Sequence, residues 1–558
     1  ILSKIRLQDL WTICIKRVNL IKMTEQKTIG KGTWIDKLAS ELIEREEQLG
    51  RNTDLLTVES GLGASGIPHI GSLGDAVRAY GVKLALENLG YKSELITYSD
   101  DLDGLRKIPE GLDVDEKYIG IRVSAIPDPF GCHDSYGSHM SSLLLDGLDD
   151  LGIKYIHKTA HETYKNGLLN DQILKILDKR KKIGDKIEEL TGQQKFQNMP
   201  PYFPECHNCG KLYTTESFDY IKDEKKVLYR CKDSEMGSEW DKNKDKNKKY
   251  IGCGHKGESI IGKDLGKLAW KVEFAARWKI FDVRFEAFGK DIMDSVQVND
   301  WISDEILNFP HPHHIRYEMF LDKGGKKISK SLGNVVTSQK WLKFGTPQSI
   351  LLLLYKRITG ARELGFEDIP SLMNEYTELE KIYFGKIKIE NEAKLIKSKG
   401  LYEYVNLLNP PENIQPSVNY RLLVELCKIF KEEQKDRVNK KLIEYRAIKE
   451  TSQEIDNLIT LAGNFANEFD ISEKFEIDLD DITRKALSEL VQILESGEEI
   501  EDLQNSIYQI AKSNEIPPKD FFRILYQIIL SATQGPKIGP FILDIGKNKV
   551  ANTLNKYL

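Results

Sequence analysis

Two short segments of this 558-residue chain hold residue types suited to phosphate chemistry. The first is Pro68-His69-Ile70-Gly71-Ser72; the second is Lys327-Ile328-Ser329-Lys330-Ser331, preceded by Lys323-Gly324-Gly325-Lys326. When a nucleophile attacks a nucleotide phosphorus, negative charge gathers on the phosphoryl oxygens as pyrophosphate departs. The protein must then supply positioned donors and positive charge rather than a nucleophile of its own. An imidazole at a helix N-terminus, with a glycine two residues later to let a base approach the backbone, serves one side. Lysines on a glycine-flanked loop serve the other. Alone, such a histidine is usually a packed or capping residue and such a pentapeptide solvated surface. Their order and setting make the pair informative.

The setting is an α/β pattern. Trp34, Ile35, Leu38, Leu42 and Ile43 recur at helical spacing up to Leu49, with Gly50 as the stop. The apolar run Leu55–Val58 predicts a buried strand, Gly61–Gly66 a turn, Ser72–Leu89 a helix closed by Gly90, and Glu94–Tyr98 a second strand. Strand, turn, helix and strand make a βαβ unit with parallel strands, and an anion site belongs at its turn. From about Asn166 to Gly262 the pattern changes to a charged helix, a Pro-rich entry, a cysteine cluster and the polar run Asp241–Lys249, read as a solvated loop. After another α/β stretch, amphipathic helices dominate from about Thr337 onward. The expected class is therefore α/β: a Rossmann-type parallel-sheet domain with a metal-bearing insertion and an all-α C-terminal domain. The expected boundaries are 1–33 for an N-terminal extension, disordered or not native, with Met23 read as the start, 34–165 and 262–335 for two halves of the nucleotide domain, 166–261 for the insertion, 336–400 for a connector and 401–558 for the helical domain.

Four of seven cysteines fall between Cys206 and Cys253. Cys206-x-x-Cys209, then Cys231, then Cys253-Gly254-His255 is the spacing of a structural zinc site. Five candidates compete for four places, so Cys231 or His255 stands outside, or a second metal binds nearby. Cys132 reads as a core thiol. His311, His313 and His314, interleaved with Pro310 and Pro312, read as an extended connector with exposed rings.

The two opening segments resemble the HIGH-type and KMSKS-type signatures of class I aminoacyl-tRNA synthetases. More closely, the chain resembles the class I lysyl-tRNA synthetase family from Trp34 to the C-terminus. That resemblance rests on Glu59-Ser60-Gly61, Ser65-Gly66-Ile67-Pro68-His69-Ile70-Gly71, Asp100-Asp101-Leu102-Asp103-Gly104-Leu105-Arg106-Lys107 and Ile126-Pro127-Asp128-Pro129-Phe130-Gly131-Cys132-His133. Gly266-Lys267-Leu268-Ala269-Trp270, Phe288-Gly289-Lys290-Asp291 and Gly535-Pro536-Lys537-Ile538-Gly539-Pro540-Phe541 extend it. The resemblance implies a lysine-tRNA ligase reaction through lysyl-adenylate, with L-lysine, tRNA(Lys) and ATP accompanied by Mg2+, and a structural Zn2+. It implies His69, Lys327 and Lys330 as catalytic residues, and Ser65, Gly71, Ser72, Gly289, Asp291, Ile328, Ser329 and Ser331 as ATP contacts. Gly61, Gly63, Trp270 and Tyr317 are placed around lysine, with Glu59. The strand Leu55–Ser60 ends in an acid and holds no base, whereas a glutamate pocket would want an arginine there. The other reading of Glu59 is a capping or turn residue. A synthetase for glutamate or glutamine, and a weakly active tRNA-binding paralogue, are the competing readings.

Bulk properties set outer limits. With 81 Lys and Arg against 86 Asp and Glu, nucleic acid must be met by a local basic face. No stretch approaches the ~20 apolar residues of a membrane span, and clustered cysteines fit a reducing cytoplasm. Oligomeric state leaves little trace in the sequence, with a slight lean to a monomer.

Overall fold

Parallel strand pairing frames the molecule. The computed structural model describes residues 29–109, 111–235, 249–325, 336–431, 433–469, 477–496, 502–530, 533 and 535–558. Lys327, Ile328, Ser329, Lys330 and Ser331 therefore lie outside the described residues, as does the run Asp241–Lys249 apart from its last residue. Five strands, β1 (Leu56–Leu62), β2 (Ser93–Ser99), β3 (Ile156–Thr159), β4 (Val283–Gly289) and β5 (His313–Tyr317), form one sheet in the order β5-β4-β1-β2-β3. All neighbours pair in parallel. The strand order reverses between β1 and β4, and in open α/β sheets the crevice beyond the carboxyl ends at such a reversal is where ligands bind.

β1 runs farther than its apolar start suggests. It continues through Glu59, Ser60 and Gly61 because β2 stays in register with it to Leu62 opposite Ser99. Gly61 and Leu62 thus belong to the strand, and the turn begins at Gly63. His313 and His314 are likewise half-buried residues of edge strand β5 rather than exposed connector rings. His314 Nε2 lies 3.0 Å from Asp300 Oδ1 and Nδ1 lies 3.0 Å from the Glu286 carbonyl.

Helices cover both faces of the sheet. On one lie α1 (Trp34–Gln48) and α2 (Ile70–Asn88), packed on Leu56, Val58, Leu62, Leu95 and Phe285. Thr33 caps α1 through a capping box with Asp36, and Asp36 also accepts the Tyr404 hydroxyl at 2.7 Å, which ties the C-terminal helices to the core. α3 (Tyr136–Asp150) connects β2 towards β3. On the other face α4 (Trp270–Ile280) and α5 (Met293–Glu305) pack with Tyr98, Val283 and helices Asn170–Asp178 and Arg180–Thr191. Between β3 and α4 the chain also forms an antiparallel sheet of Thr215–Ile221, Lys226–Cys231 and Lys256–Ile260. Tyr202–Pro204 pairs antiparallel with Gly266–Leu268, bringing the two flanks of that excursion together. From Ser338 onward the described elements are helical, apart from Arg362–Glu363, which pairs in parallel with Phe320–Leu321.

Candidate active site and metal centres

His69 is the N-cap of α2, in extended backbone conformation, and its Nδ1 accepts the backbone N–H groups of Gly71 (3.0 Å) and Ser72 (3.3 Å). A ring nitrogen that accepts carries no proton, so the neutral imidazole holds its proton on Nε2 and offers a donor there. The cap satisfies two of the open N–H groups of the helix and fixes the tautomer at once. Gly71 was expected to let a base approach; its first task is to admit this ring, because a Cβ there would lie 2.7 Å from His69 Cε1. The turn leading to His69 rests on a small apolar cluster of Ala64, Leu105, Val123, Ile126, Tyr136 and Met140. The Tyr136 hydroxyl donates to the Ser65 carbonyl at 3.2 Å. Gly63 is open, with no atom of the described residues beyond its chain neighbours within 4 Å of where a Cβ would stand.

Across the reversal, Gly289 ends β4 opposite Tyr317 of β5, and Asp291 follows in an exposed turn. Tyr317 was grouped with the lysine pocket. The structure puts it beside Gly289, with its hydroxyl donating to Asp75 of α2 and the Arg78 guanidinium 4.2 Å over its ring. Burial pushes the Asp75 carboxyl up to about 7, against the Tyr317 hydrogen bond and the Arg78 charge, and 26 % side-chain exposure tempers the effect. An unfolded aspartate titrates near ~3.9. Between the two values the folded protein keeps a proton that the unfolded chain has lost, so this group's contribution to stability falls as pH rises towards 7. Asp75→Asn is expected to flatten the drop in thermal midpoint between pH 5 and pH 8; an unchanged slope would remove Asp75 as its source.

Glu59 belongs to a buried charge cluster, not to an open acidic wall. It is 0 % exposed and pairs with Arg277 of α4, which also reaches Glu286 at 3.1 Å and Asp100 at 4.0 Å. Beside it, Lys267 Nζ lies 2.9 Å from both Asp103 and Glu273 and 3.8 Å from Asp100. The arginine that the sequence of β1 lacked is thus supplied from α4. Trp270, the first residue of α4, donates its indole N–H to Asp103 at 3.4 Å. The cluster lies under the strand ends and sets five carboxylates, Glu59, Asp100, Asp103, Glu273 and Glu286, against Lys267 and Arg277.

Cys206, Cys209, Cys231 and Cys253 converge, with Cys206 Sγ 3.6 Å from Cys253 Sγ and Cys209 Sγ 3.7 Å from Cys231 Sγ. Four thiolates around a tetrahedral zinc at its usual bond length would stand about 3.8 Å apart, so the set fits the ion. Gly210, at φ +69°, closes the knuckle with its N–H 2.8 Å from the Cys206 carbonyl. Cys231 completes the set and His255 stands outside it. The His255 carbonyl accepts the Cys231 N–H at 2.7 Å, while its ring centroid lies 6.1 Å from that of Tyr229.

A second group escaped the sequence reading. Asp128, Cys132, His133 and His139 bring one ligand atom each to within 4.8 Å of one another. Cys132 is exposed here rather than core. Its Sγ lies 3.1 Å from His133 Nδ1 and 3.3 Å from His139 Nδ1, and Asp128 Oδ2 lies 3.3 Å from His139 Nδ1. Ligands at usual zinc distances would be about 3.3–3.8 Å apart, which this hard–soft donor set approaches. The signal was present: an acid, a thiol and two imidazoles within a dozen residues around the start of α3.

A five-stranded parallel sheet with a histidine-capped helix and the Gly289 turn flanking its reversal point defines a nucleotide-binding α/β enzyme. The family model for class I (K) tRNA synthetases matches residues 32–407. A lysine–tRNA ligase of Cenarchaeum symbiosum (strain A) is 60% identical over 95% of this chain and 99% of its own. One of Rickettsia felis is 30% identical over 87% of this chain and 89% of its own. The chain belongs to the class I (K) tRNA synthetases.

Proposed function

We infer that this protein is a lysine–tRNA ligase of the cytoplasm. It joins L-lysine to ATP as lysyl-adenylate, releases pyrophosphate and passes the lysyl group to the 3′-terminal adenosine of tRNA(Lys). The observation that carries this reading is His69, held in its Nε2–H form at the reversal point within a chain 60% identical to a lysine–tRNA ligase. The lysine carboxylate is the nucleophile, and Mg2+ accompanies the triphosphate. His69 donates from Nε2 to the phosphoryl oxygens, Lys327 and Lys330 bring positive charge, and Gly289 and Asp291 border the ribose. Trp270, Gly61 and Gly63 border the lysine side chain. Glu59 is paired internally with Arg277, so the choice of lysine over glutamate rests on the likeness to lysine–tRNA ligases. Residues 34–165 and 262–335 serve as the catalytic halves, 166–261 as the metal-bearing insertion, 336–400 as the connector and 401–558 as the anticodon-recognising part. Pyrophosphate exchange, run with each amino acid in the presence and absence of tRNA, tests the reading. Exchange with lysine supports it; exchange with glutamate, or with none, sinks it.

We also assign zinc to both clusters, with the four-cysteine set bracing the insertion and the Asp128 set bracing Ile126 and Tyr136 beneath the Ser65 turn. Elemental analysis of purified protein is expected to find two zinc equivalents per chain. Cys209→Ala should remove one, and Cys132→Ala the other. A single equivalent unaffected by Cys132→Ala would leave the Asp128 group without a metal role.

A further inference from the structure

We propose that Arg106, with the ring of Tyr213, holds the unpaired 3′ end of the tRNA: the guanidinium takes a backbone phosphate and the ring offers a face to a base. This rests on the reading of the protein as a tRNA ligase and adds where the nucleic acid enters. Arg106 lies on the loop after β2, at the carboxyl edge of the sheet. It is exposed, yet its guanidinium carbon sits 5.4 Å from the Tyr213 ring centroid and 5.8 Å from that of Trp270. The carboxylate of neighbouring Asp103 is engaged by Lys267 at 2.9 Å and by the Trp270 indole N–H, and it also faces the Arg106 guanidinium, which hydrogen-bonds the Tyr213 side chain. A planar cation between half-exposed aromatic rings is the chemistry by which proteins grip single-stranded nucleic acid, where phosphate and base face are both accessible.

The position separates this anion site from the one at His69. ATP phosphates belong at the reversal between β1 and β4, where the α2 N-terminus and Gly289 stand, and the attacking lysine carboxylate must meet the α-phosphate there. Arg106 follows β2, on the opposite side of β1 from β4. An anion held on that side comes from the third substrate, whose terminal ribose must approach the adenylate while its phosphates stay behind. The site is also built to a shape. Gly104 makes room for Tyr213, because a Cβ there would lie 2.9 Å from the Tyr213 ring. Tyr213 arrives from the four-cysteine knuckle, its carbonyl accepting the Ser234 hydroxyl at 2.7 Å and its ring set edge-on to Phe203. The knuckle thus supplies one wall of the proposed site and the β2 loop the other.

The test is a cycle on full-length, metal-replete protein, measuring affinity for a tRNA(Lys) transcript, intact or lacking its unpaired 3′ nucleotides. Arg106→Ala is expected to weaken intact tRNA by about tenfold and the truncated tRNA hardly at all, with Arg106→Lys intermediate. The half-saturating concentrations of lysine and ATP in exchange at saturating tRNA should not move. Equal weakening of both tRNAs, or a raised half-saturating lysine concentration with tRNA affinity intact, would overturn the assignment. Failure of the wild type to charge tRNA with lysine at all would instead strike the underlying functional reading.

Discussion

Replacing His69 with alanine is expected to slow adenylate formation by ~100- to 1000-fold, the usual cost of removing one well-aimed donor to a charge-accumulating transition state. The residue has two tasks that alanine removes together, the Nε2–H donor and the cap on Gly71 and Ser72. Loss of the cap alone should cost about 0.5–2 kcal/mol of stability, too little to unfold a chain of this size. His69→Asn separates the tasks, because asparagine caps well but cannot place a donor where Nε2 stands. Its thermal midpoint should stay near that of the wild type while its pyrophosphate exchange falls almost as far as that of the alanine variant. Gly71→Ala should follow the same pattern by displacing the ring, since the new Cβ would press on Cε1. Exchange by His69→Ala at close to the wild-type rate would exclude the imidazole from the chemistry.

Local signals carried much of this site. The N-cap at His69, the stop at Gly50 and the end of α2 before Gly90 could be read because helix termini are set by neighbouring residues. The four-cysteine centre was legible up to its fourth ligand. Spacing alone could not choose between Cys231 and His255, because that choice depends on which strand of a hairpin faces inward. What stayed hidden was non-local. The pairing of β1 with β2 lengthened the strand into the expected turn, and Glu59 gained a partner far along the chain on α4. The hydrogen bond of the Tyr317 hydroxyl to Asp75 of α2 was equally non-local. The Asp128 group was missed for another reason: Cys132 was weighed singly as a core thiol, while its partners His133 and His139 straddle the first turns of a helix.

Arg277→Met is expected to be the most destabilising single change in the catalytic core. Glu59 and Glu286 face each other in register on adjacent strands, and Arg277 bridges them from α4 with its guanidinium carbon 4.7 Å from the Tyr98 ring centroid. Breaking a buried pair by removing one partner typically costs about 3–5 kcal/mol, because a carboxylate is left in low dielectric without compensation. Against the ~5–15 kcal/mol that holds a domain together, that is a large share. The effect should also depend on pH in a defined sense. Burial already pushes the Glu59 carboxyl up, and Arg277 is the main pull in the other direction. In the wild type that carboxyl already stands at about 8, and without the arginine the folded form should keep its proton to a still higher pH. Both forms then lose stability as pH rises through the neutral range, and the variant should go on losing it above about 8, where the wild-type contribution levels off. Adding Glu59→Gln to Arg277→Met should recover part of the loss and remove the extra slope, as followed by thermal midpoints between pH 5 and pH 9. If the double variant is no more stable than Arg277→Met alone at pH 8, the cost lies in lost packing of the arginine stem rather than in the stranded carboxylate.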